Sequence, residues 1–302
     1  MAGPNPSGRN PCSVRRPAVA GMFYPADAAQ CRQQAAVFLR TPVVKIWDQQ
    51  LFGAIVPHAG WICSGAIAGQ SIAFVRQSRP DAQIIVVFGA VHTPIPLGVA
   101  AFDSHDAWEE PSAATPVAAE LRRVLAAEQR LFSVDDRFHQ REHAVEVLLP
   151  LIQAAWPNAM VLPVEVPVSQ LAVEIGRSTA KAAIAAGLKP VYLASSDLTH
   201  YGPNYQFAPA GVGPVGLAWA MENDRRLLAV VTEMTPDRII PEVMSRRNAC
   251  GPGAIAAMMA ACMEHGAAHA AVLTHASSFQ TLAAHAPQPP DNAVGYASVV
   301  FG

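Results

Sequence analysis

The stretch Phe52-Gly-Ala-Ile-Val-Pro-His-Ala-Gly60-Trp-Ile-Cys-Ser-Gly65 begins with an apolar run and continues into small residues. The run is rich in β-branched residues and stops at Pro57-His58, which predicts a buried strand that ends there. Apolar residues at helical spacing continue after Gly65, so a helix is expected next. In a sheet that alternates with helices, ligands bind where strands end. The stretch therefore places His58 at a candidate binding site.

A second apolar run, from Ile84 to Val91, ends in the same way at His92. If the two strands are neighbours, both imidazoles face one crevice, and an α/β fold can assemble a metal site from such distant residues. Cys250 follows Asn248-Ala249 and precedes Gly251, and small neighbours leave room for a ligand. His58, His92 and Cys250 are therefore the candidate metal ligands. The alternative is that each is a buried polar residue satisfied by backbone groups.

The rest of the chain alternates between helical and strand patterns. The spacing predicts helices over 28–39, 65–75, 115–127, 170–186, 216–231, 237–246 and 248–265, and strands over 84–88, 97–102, 161–166, 191–194, 270–276 and 296–301. This alternation indicates an α/β fold with a central mixed sheet flanked by helices. The chain has 302 residues, 51% of them hydrophobic, enough for one large core. We therefore predict a single domain over 15–302 after a flexible tail over 1–14.

Charge and cysteine content narrow the class of protein. The formal net charge is -2 and no run of Lys or Arg is present, which argues against nucleic acid and anionic membranes as partners. The first residues lack the basic and apolar segments of a secretion signal, and no apolar run reaches membrane-spanning length. Five scattered cysteines are typical of a reducing compartment rather than of a disulfide framework. A cytoplasmic location is expected.

The segment from Glu142 to Trp156 has the pattern of an amphipathic helix interrupted by Pro150. In such a helix His143 and Glu146 lie one turn apart on one face. They could flank the pocket, hold the ligands by hydrogen bonds or bind the metal directly. A solvated first turn of the helix explains them equally well.

The motif Ser195-Ser-Asp-Leu-Thr-His-Tyr-Gly202 follows another predicted strand. Asp197 is three residues from His200, close enough to orient its imidazole as a general base, so both are candidate catalytic residues together with His143. A hydrolase built on Ser195 or Ser196 is a weaker alternative, because a Gly-x-Ser-x-Gly elbow is absent. A loop whose Ser and Asp side chains cap the next element is the structural alternative.

Five motifs resemble those of the Memo family, in the order in which that family has them. They are Arg16-Pro-Ala-Val-Ala-Gly-Met-Phe-Tyr-Pro25, Pro57-His-Ala-Gly-Trp61, Glu142-His-Ala-Val-Glu-Val-Leu-Leu-Pro150, Ser195-Ser-Asp-Leu-Thr-His-Tyr-Gly202 and Cys250-Gly251. The family includes the "AmmeMemoRadiSam system protein B" proteins and resembles in fold the class III extradiol (LigB-type) non-haem iron dioxygenases. The resemblance implies a metal site on His58, His92 and Cys250, iron(II) as the metal, and His200 at the position of the dioxygenases' base.

Two departures bear on the chemistry that the resemblance implies. The family often has Gly-Pro-Ser-His where this chain has Gly89-Ala-Val-His92, and the dioxygenases have a carboxylate where this chain offers Cys250. A thiolate is the softer ligand and favours copper(I) or zinc relative to iron(II). The leading hypothesis is an iron-dependent, dioxygenase-like oxidoreductase that acts on a small molecule in a cleft at the strand ends. The alternative is a metal-binding or peptide-binding protein without turnover of its own.

Overall fold

The computed structural model describes residues 13–40, 50–283 and 289–302. In chain order the elements are β1 (Val14–Arg15), α1 (Ala28–Phe38), β2 (Gly53–Val56), α2 (Trp61–Ser78), β3 (Ile84–Gly89), β4 (Ala100–Phe102), β5 (Ala107–Glu110), β6 (Ala113–Pro116), α3 (Ala119–Ala126), β7 (Phe132–Val134), α4 (Leu149–Ala155), β8 (Met160–Glu165), α5 (Leu171–Ala185), β9 (Pro190–Ser195), β10 (His200–Tyr201), α6 (Pro214–Thr232), α7 (Ile239–Arg246), α8 (Pro252–Glu264), β11 (Ala270–Ser277), α9 (Ser278–Leu282) and β12 (Ala293–Phe301). Short 3-10 helices cover Asp136–Phe138, Glu146–Leu148, Pro203–Tyr205 and Pro236–Arg238.

Nine of the described strands form one mixed sheet, which confirms the predicted α/β class. Its order is β10-β12-β2-β9-β3-β8-β4-β7, with β11 also paired to β12. Strands β2, β9, β3 and β8 run parallel, and their last residues lie side by side: Val56 pairs with Ser195, and Gly89 pairs with Glu165. The carboxyl ends of these four strands therefore meet at one edge of the sheet.

The central strand β3 is apolar at every position because helices cover both faces of the sheet. In β3, Ile84, Val86 and Phe88 point to the face covered by α5 and α8, and the alternate residues Ile85 and Val87 point to the face covered by α2 and α4. All five side chains are fully buried. This two-sided burial explains why the sequence shows a continuous apolar run at this strand rather than an alternating one.

The segment from Glu142 to Trp156 differs from its prediction. A loop and a 3-10 helix occupy its first part, and α4 begins only at Leu149, with Pro150 in its first turn. Proline is well tolerated there, because the N–H that it lacks has no partner inside the helix. Pro150 therefore starts a helix instead of interrupting one, and His143 lies in the preceding loop.

Strands β1, β5 and β6 form a second, smaller sheet, in the order β1-β5-β6, that the sequence did not predict. Val14, the last residue of the predicted tail, belongs to β1, whereas residues 1–12 of that tail lie outside the described residues. The described cysteines, Cys31, Cys63, Cys250 and Cys262, are free. No helix in the described ranges combines the length and hydropathy needed to cross a membrane.

Candidate metal centre

Three histidines converge where the parallel strands end. His58 follows β2, His92 follows β3, and His143 lies in the loop before α4. One ligand atom from each ring lies within 4.8 Å of the other two. The ring centroids are 5.1 Å apart for His58 and His92, 5.2 Å for His58 and His143, and 4.5 Å for His92 and His143. The two predicted histidines therefore do face one crevice, although β9 separates their strands.

Because β9 lies between β2 and β3, it supplies the residue that orients His58. Nδ1 of His58 is 2.8 Å from Oγ of Ser195, whose hydroxyl donates to the carbonyl oxygen of Ala144 at 2.5 Å. Because that hydrogen bond uses the hydroxyl proton of Ser195, its oxygen accepts a hydrogen bond from Nδ1–H of His58, which leaves the lone pair of the ring on Nε2. Burial, the largest cause, and the neighbouring histidines lower the pKa of His58 well below its usual range. The ring is therefore neutral and presents Nε2 to the crevice.

The carboxylate of Glu142 orients His92. Oε1 lies 2.9 Å from Nδ1 of the ring, and Oε2 accepts the backbone N–H of His92 at 2.7 Å. Burial by itself would raise the pKa of Glu142, but the hydrogen bonds from His92 outweigh it and hold the pKa at about 2. Burial likewise acts to lower the pKa of His92, but the contacts with Cys250 and Glu142 raise it to about 10. A carboxylate that holds Nδ1 leaves Nε2 for a metal, as is usual for metal-bound histidine.

His143 completes the group of imidazoles. Its backbone N–H donates to Oε1 of Glu142 at 2.8 Å, and its ring packs on Phe23 with the centroids 4.7 Å apart. Burial, followed by the charge of His92, lowers the pKa of His143 to about 4. The sequence left three roles open for this residue, and the geometry places it among the possible ligands.

Cys250 reaches the same crevice from the loop before α8. Its Sγ is 3.3 Å from Nε2 of His58 and accepts the backbone N–H of Asp197 at 3.2 Å. Gly251 makes this approach possible: a Cβ on it would lie 2.8 Å from the carbonyl oxygen of Ser195. Burial raises the pKa of the Cys250 thiol, and its contact with His92 acts in the opposite direction.

Asp197 and His200 do not form the pair that their spacing suggested. Oδ1 of Asp197 accepts the backbone N–H of His58 at 2.8 Å, and no hydrogen bond joins Asp197 to His200 among the described residues. Burial raises the pKa of Asp197 to about 7. Nε2 of His200 is buried without a hydrogen-bond partner in the described part of the chain, and burial lowers the pKa of the ring to about 4. His200 therefore presents a neutral imidazole that no hydrogen bond from Asp197 orients among the described residues.

The contacts argue against two roles that the sequence left open: a serine nucleophile, and Glu146 as a residue of the crevice. Ser195 and Ser196 are fully buried, and the Ser195 hydroxyl is occupied by Ala144 and His58, so neither serine is placed as an accessible nucleophile. Glu146 does not face the crevice. It is fully buried and pairs with Arg15 at 2.6 Å.

Glu165, at the end of β8, forms a buried polar contact that the sequence gave no reason to select. Its carboxyl oxygens have no hydrogen-bond partner within the described residues, and Oε1 lies 3.7 Å from Nδ1 of His139. Nε2 of His139 donates to the carbonyl oxygen of Ala101, so Nδ1 carries the lone pair. Burial, above all, raises the pKa of Glu165 well above its usual range and lowers that of His139 to about 4. The pair is therefore neutral, with the proton on Glu165.

The sequence did not predict which residues accept hydrogen bonds from the histidine rings. Ser195 was considered only as a nucleophile or a cap, and Glu142 only for its charge near a helix start. The one available signal was that Glu142 is adjacent to His143, and adjacency does not reveal that its carboxylate reaches His92.

The fold and this site define a class: α/β proteins with a candidate histidine metal centre at the carboxyl edge of a mixed sheet. The family model described as "Memo-like protein" matches residues 15–300. A MEMO1 family protein of Methanococcoides burtonii is 32% identical over 273 residues, 88% of this chain and 93% of that protein. MEMO1 family proteins of Methanosarcina barkeri and Nitrosopumilus maritimus are 30% and 26% identical, each over 95% of this chain and 99% of theirs.

The chain therefore belongs to the Memo family. Among solved structures, an uncharacterized protein of Escherichia coli K12 aligns with a TM-score of 0.49 and 12% identity, over 84% of this chain and 100% of that one.

Proposed function

We propose that this protein is a metal-dependent oxidoreductase that uses iron(II) and acts on a small substrate at the strand ends. The convergence of His58, His92 and His143 on one point is the observation that supports the proposal most strongly. The motif resemblance to proteins related in fold to the LigB-type dioxygenases suggests dioxygen as the oxidant.

The donor atoms fit a bound divalent ion. A metal needs imidazoles with an unprotonated nitrogen. The contact with Ser195 leaves Nε2 of His58 free, whereas His92, which its raised pKa keeps protonated at pH 7, would release its Nε2 proton when a metal binds while Glu142 holds Nδ1. Tetrahedral ligands at the metal–sulfur and metal–nitrogen distances known for zinc lie about 3.6 Å apart. The 3.3 Å between Sγ of Cys250 and Nε2 of His58 is close to that separation.

His58 and His92 belong to both possible ligand sets, and the third ligand is Cys250 in one set and His143 in the other. We favour Cys250, because its sulfur contacts His58 directly and accepts the Asp197 N–H, which stabilises a thiolate. His143 then lines the open side of the site as a positioning or proton-transfer group. When bound, iron(II) would supply a Lewis acid and a site for dioxygen.

His200 is the proposed general base. Its ring is neutral at pH 7 because burial lowers its pKa to about 4, and its unpartnered Nε2 can accept a proton from a substrate hydroxyl. Asp197 acts indirectly in this scheme: it fixes the backbone of His58 and donates its own N–H to Cys250.

A binding protein without turnover is the second candidate, and Cys250 is the observation that favours it. A set of imidazole and thiolate ligands suits copper(I) or zinc better than the set with a carboxylate that suits iron(II) and dioxygen. A peptide could then occupy the cleft in place of a small substrate.

Oxygen uptake by anaerobically iron-loaded protein, measured against a panel of catechols and small metabolites, tests the proposal. We expect uptake that depends on both iron and substrate, with His200→Gln much slower than the wild type at equal iron content. Uptake equal to that of a His58→Ala/His92→Ala variant with every panel member would favour the binding protein. Competition between iron(II), copper(I) and zinc for the same protein then identifies the metal that it retains.

A further inference from the structure

A cavity of about 510 Å³ opens beside the metal centre. His200 and Cys250 line it on the side of the centre, and Tyr205, Phe207 and Val243 supply aromatic and aliphatic walls. This volume is within the range of small-molecule sites, which are mostly apolar with a few polar groups. The cavity can therefore hold the body of a ligand whose reactive end lies at His200.

Arg247 is the cationic residue of this cavity. Its guanidinium lies over the Phe207 ring, 4.3 Å from the centroid. None of the ion pairs found among residues 13–40, 50–283 and 289–302 involves Arg247, in contrast to exposed arginines such as Arg16 and Arg130, which pair with glutamates. Stacking on an aromatic ring holds the planar group in place while its N–H donors remain available.

The position of Arg247 relates the cation to the metal centre. Arg247 directly follows α7 and is three residues before Cys250, so their Cα atoms are at most about 11 Å apart. A ligand with a short apolar stem can span that distance. Among the described residues that line the cavity, Arg247 is the one arginine or lysine, and no aspartate or glutamate is present. A single guanidinium is matched by a ligand that carries one negative charge.

We propose that this cavity binds the part of the substrate that does not react, and that Arg247 selects a carboxylate carried on an aromatic or alkyl body. The proposal rests on the proposed function, because it assigns the substrate class of the same site. The guanidinium pairs with the carboxylate by two parallel N–H···O hydrogen bonds, and the apolar walls cover the stem. A neutral amide of the same shape lacks the charge and pairs weakly.

Binding of 3-phenylpropionate and of its neutral amide, 3-phenylpropionamide, tests this assignment. Calorimetry on metal-free protein separates it from the proposed function, since the cavity is expected to bind the carboxylate without metal or turnover. We expect the carboxylate to bind at least about tenfold more tightly than the amide, the scale of a charge-assisted hydrogen-bonded pair.

The test variant is Arg247→Asn. Arg247 has a φ of 53°, in the left-handed region where Asn is favoured, so the variant should fold with an unchanged or higher Tm. It should bind the carboxylate no better than the amide and still load metal like the wild type. The matched control, Arg246→Gln, changes the adjacent exposed arginine and should keep the wild-type preference.

Three results would overturn the assignment. They are equal binding of carboxylate and amide by the wild type, a preference that persists in Arg247→Asn, and absence of saturable binding by the carboxylate. Failure of the oxidoreductase proposal has a different signature, because the carboxylate would still bind to a protein that shows no metal-dependent oxygen uptake.

Discussion

One carboxylate oxygen of Glu142 serves two of the three histidines: Oε1 lies 2.9 Å from Nδ1 of His92 and accepts the backbone N–H of His143 at 2.8 Å. The loop before α4 and the end of β3 are thereby connected through a single side chain. The geometry of the histidine cluster depends on this connection between segments 50 residues apart in the chain.

Glu142→Gln should weaken metal binding about tenfold or more, because a neutral amide is a poorer acceptor for the His92 ring. Metal titration against a competing chelator measures the change. Glu120→Gln, which alters an exposed surface carboxylate, is the control and should bind like the wild type. Equal affinities in all three proteins would show that Glu142 does not support the ligands.

Cys250→Ser should weaken metal binding at least about tenfold, and bound metal should protect Cys250 from alkylation in the wild type. Cys63→Ser, in which the replaced thiol is half-buried, should retain full affinity. Metal content after identical loading of these proteins, His58→Ala, His92→Ala and His143→Ala provides the comparison. If Cys250→Ser keeps its metal while the three histidine variants lose it, the third ligand is His143.

Glu146→Gln should lower the free energy of unfolding by about 3–5 kcal/mol, because it leaves the buried Arg15 charge without its partner. Glu146 also accepts the N–H groups of Ala18 and Val19 and the hydroxyl of Tyr24, so the variant should loosen the whole 15–24 segment. Urea denaturation followed by circular dichroism measures the loss.

The exposed pair of Arg16 and Glu109 is the control for that measurement. Glu109→Gln should change the free energy of unfolding by less than about 1 kcal/mol, as expected for a solvated ion pair. Similar losses in the two variants would contradict the role of the buried pair.

Glu165→Gln should remove a pH dependence of stability. Burial raises the pKa of Glu165 in the folded state, so above about pH 4.5 the unfolded chain binds fewer protons than the folded one. The stabilisation that follows from the raised pKa of Glu165 is fully present below that pH. It is lost as the pH rises through the folded pKa, by at most about 1.4 kcal/mol for each pH unit.

A glutamine at position 165 stays neutral and can donate its amide N–H towards Nδ1 of His139, so the variant should gain in Tm over the wild type between pH 5 and 8. Glu222→Gln, on the exposed surface, should follow the wild type at every pH. Parallel Tm curves for Glu165→Gln and the wild type would show that Glu165 ionises without cost.

The sequence predicted the buried strands well because their physical signature is local. Ile84 to Phe88 is apolar at every position, and two-sided burial requires that. The order of the strands is not local: nothing in the residues around His58 and His92 shows that β9 lies between their strands, and so Ser195 was not foreseen as the acceptor for His58.

The predicted helix boundaries were wrong where one residue type fits two different positions relative to a helix. Pro150 fits both a break within a helix and the first turn of one, and the choice between them decided where His143 and Glu146 point. Asp197 illustrates a similar limit, because its carboxylate binds a backbone N–H that belongs to a different strand end.

Gly251 controls how far the sulfur of Cys250 stands from the histidines, since a methyl group there would collide with the Ser195 carbonyl and lie 3.1 Å from Cβ of Ala90. The imidazoles are fixed by other contacts, so a larger residue at position 251 would move the sulfur of Cys250 away and leave the histidine cluster in place. In the proposed ligand set, one missing methyl group would thus set the hardness of the donors, and the preference between copper and iron would shift without replacing any ligand.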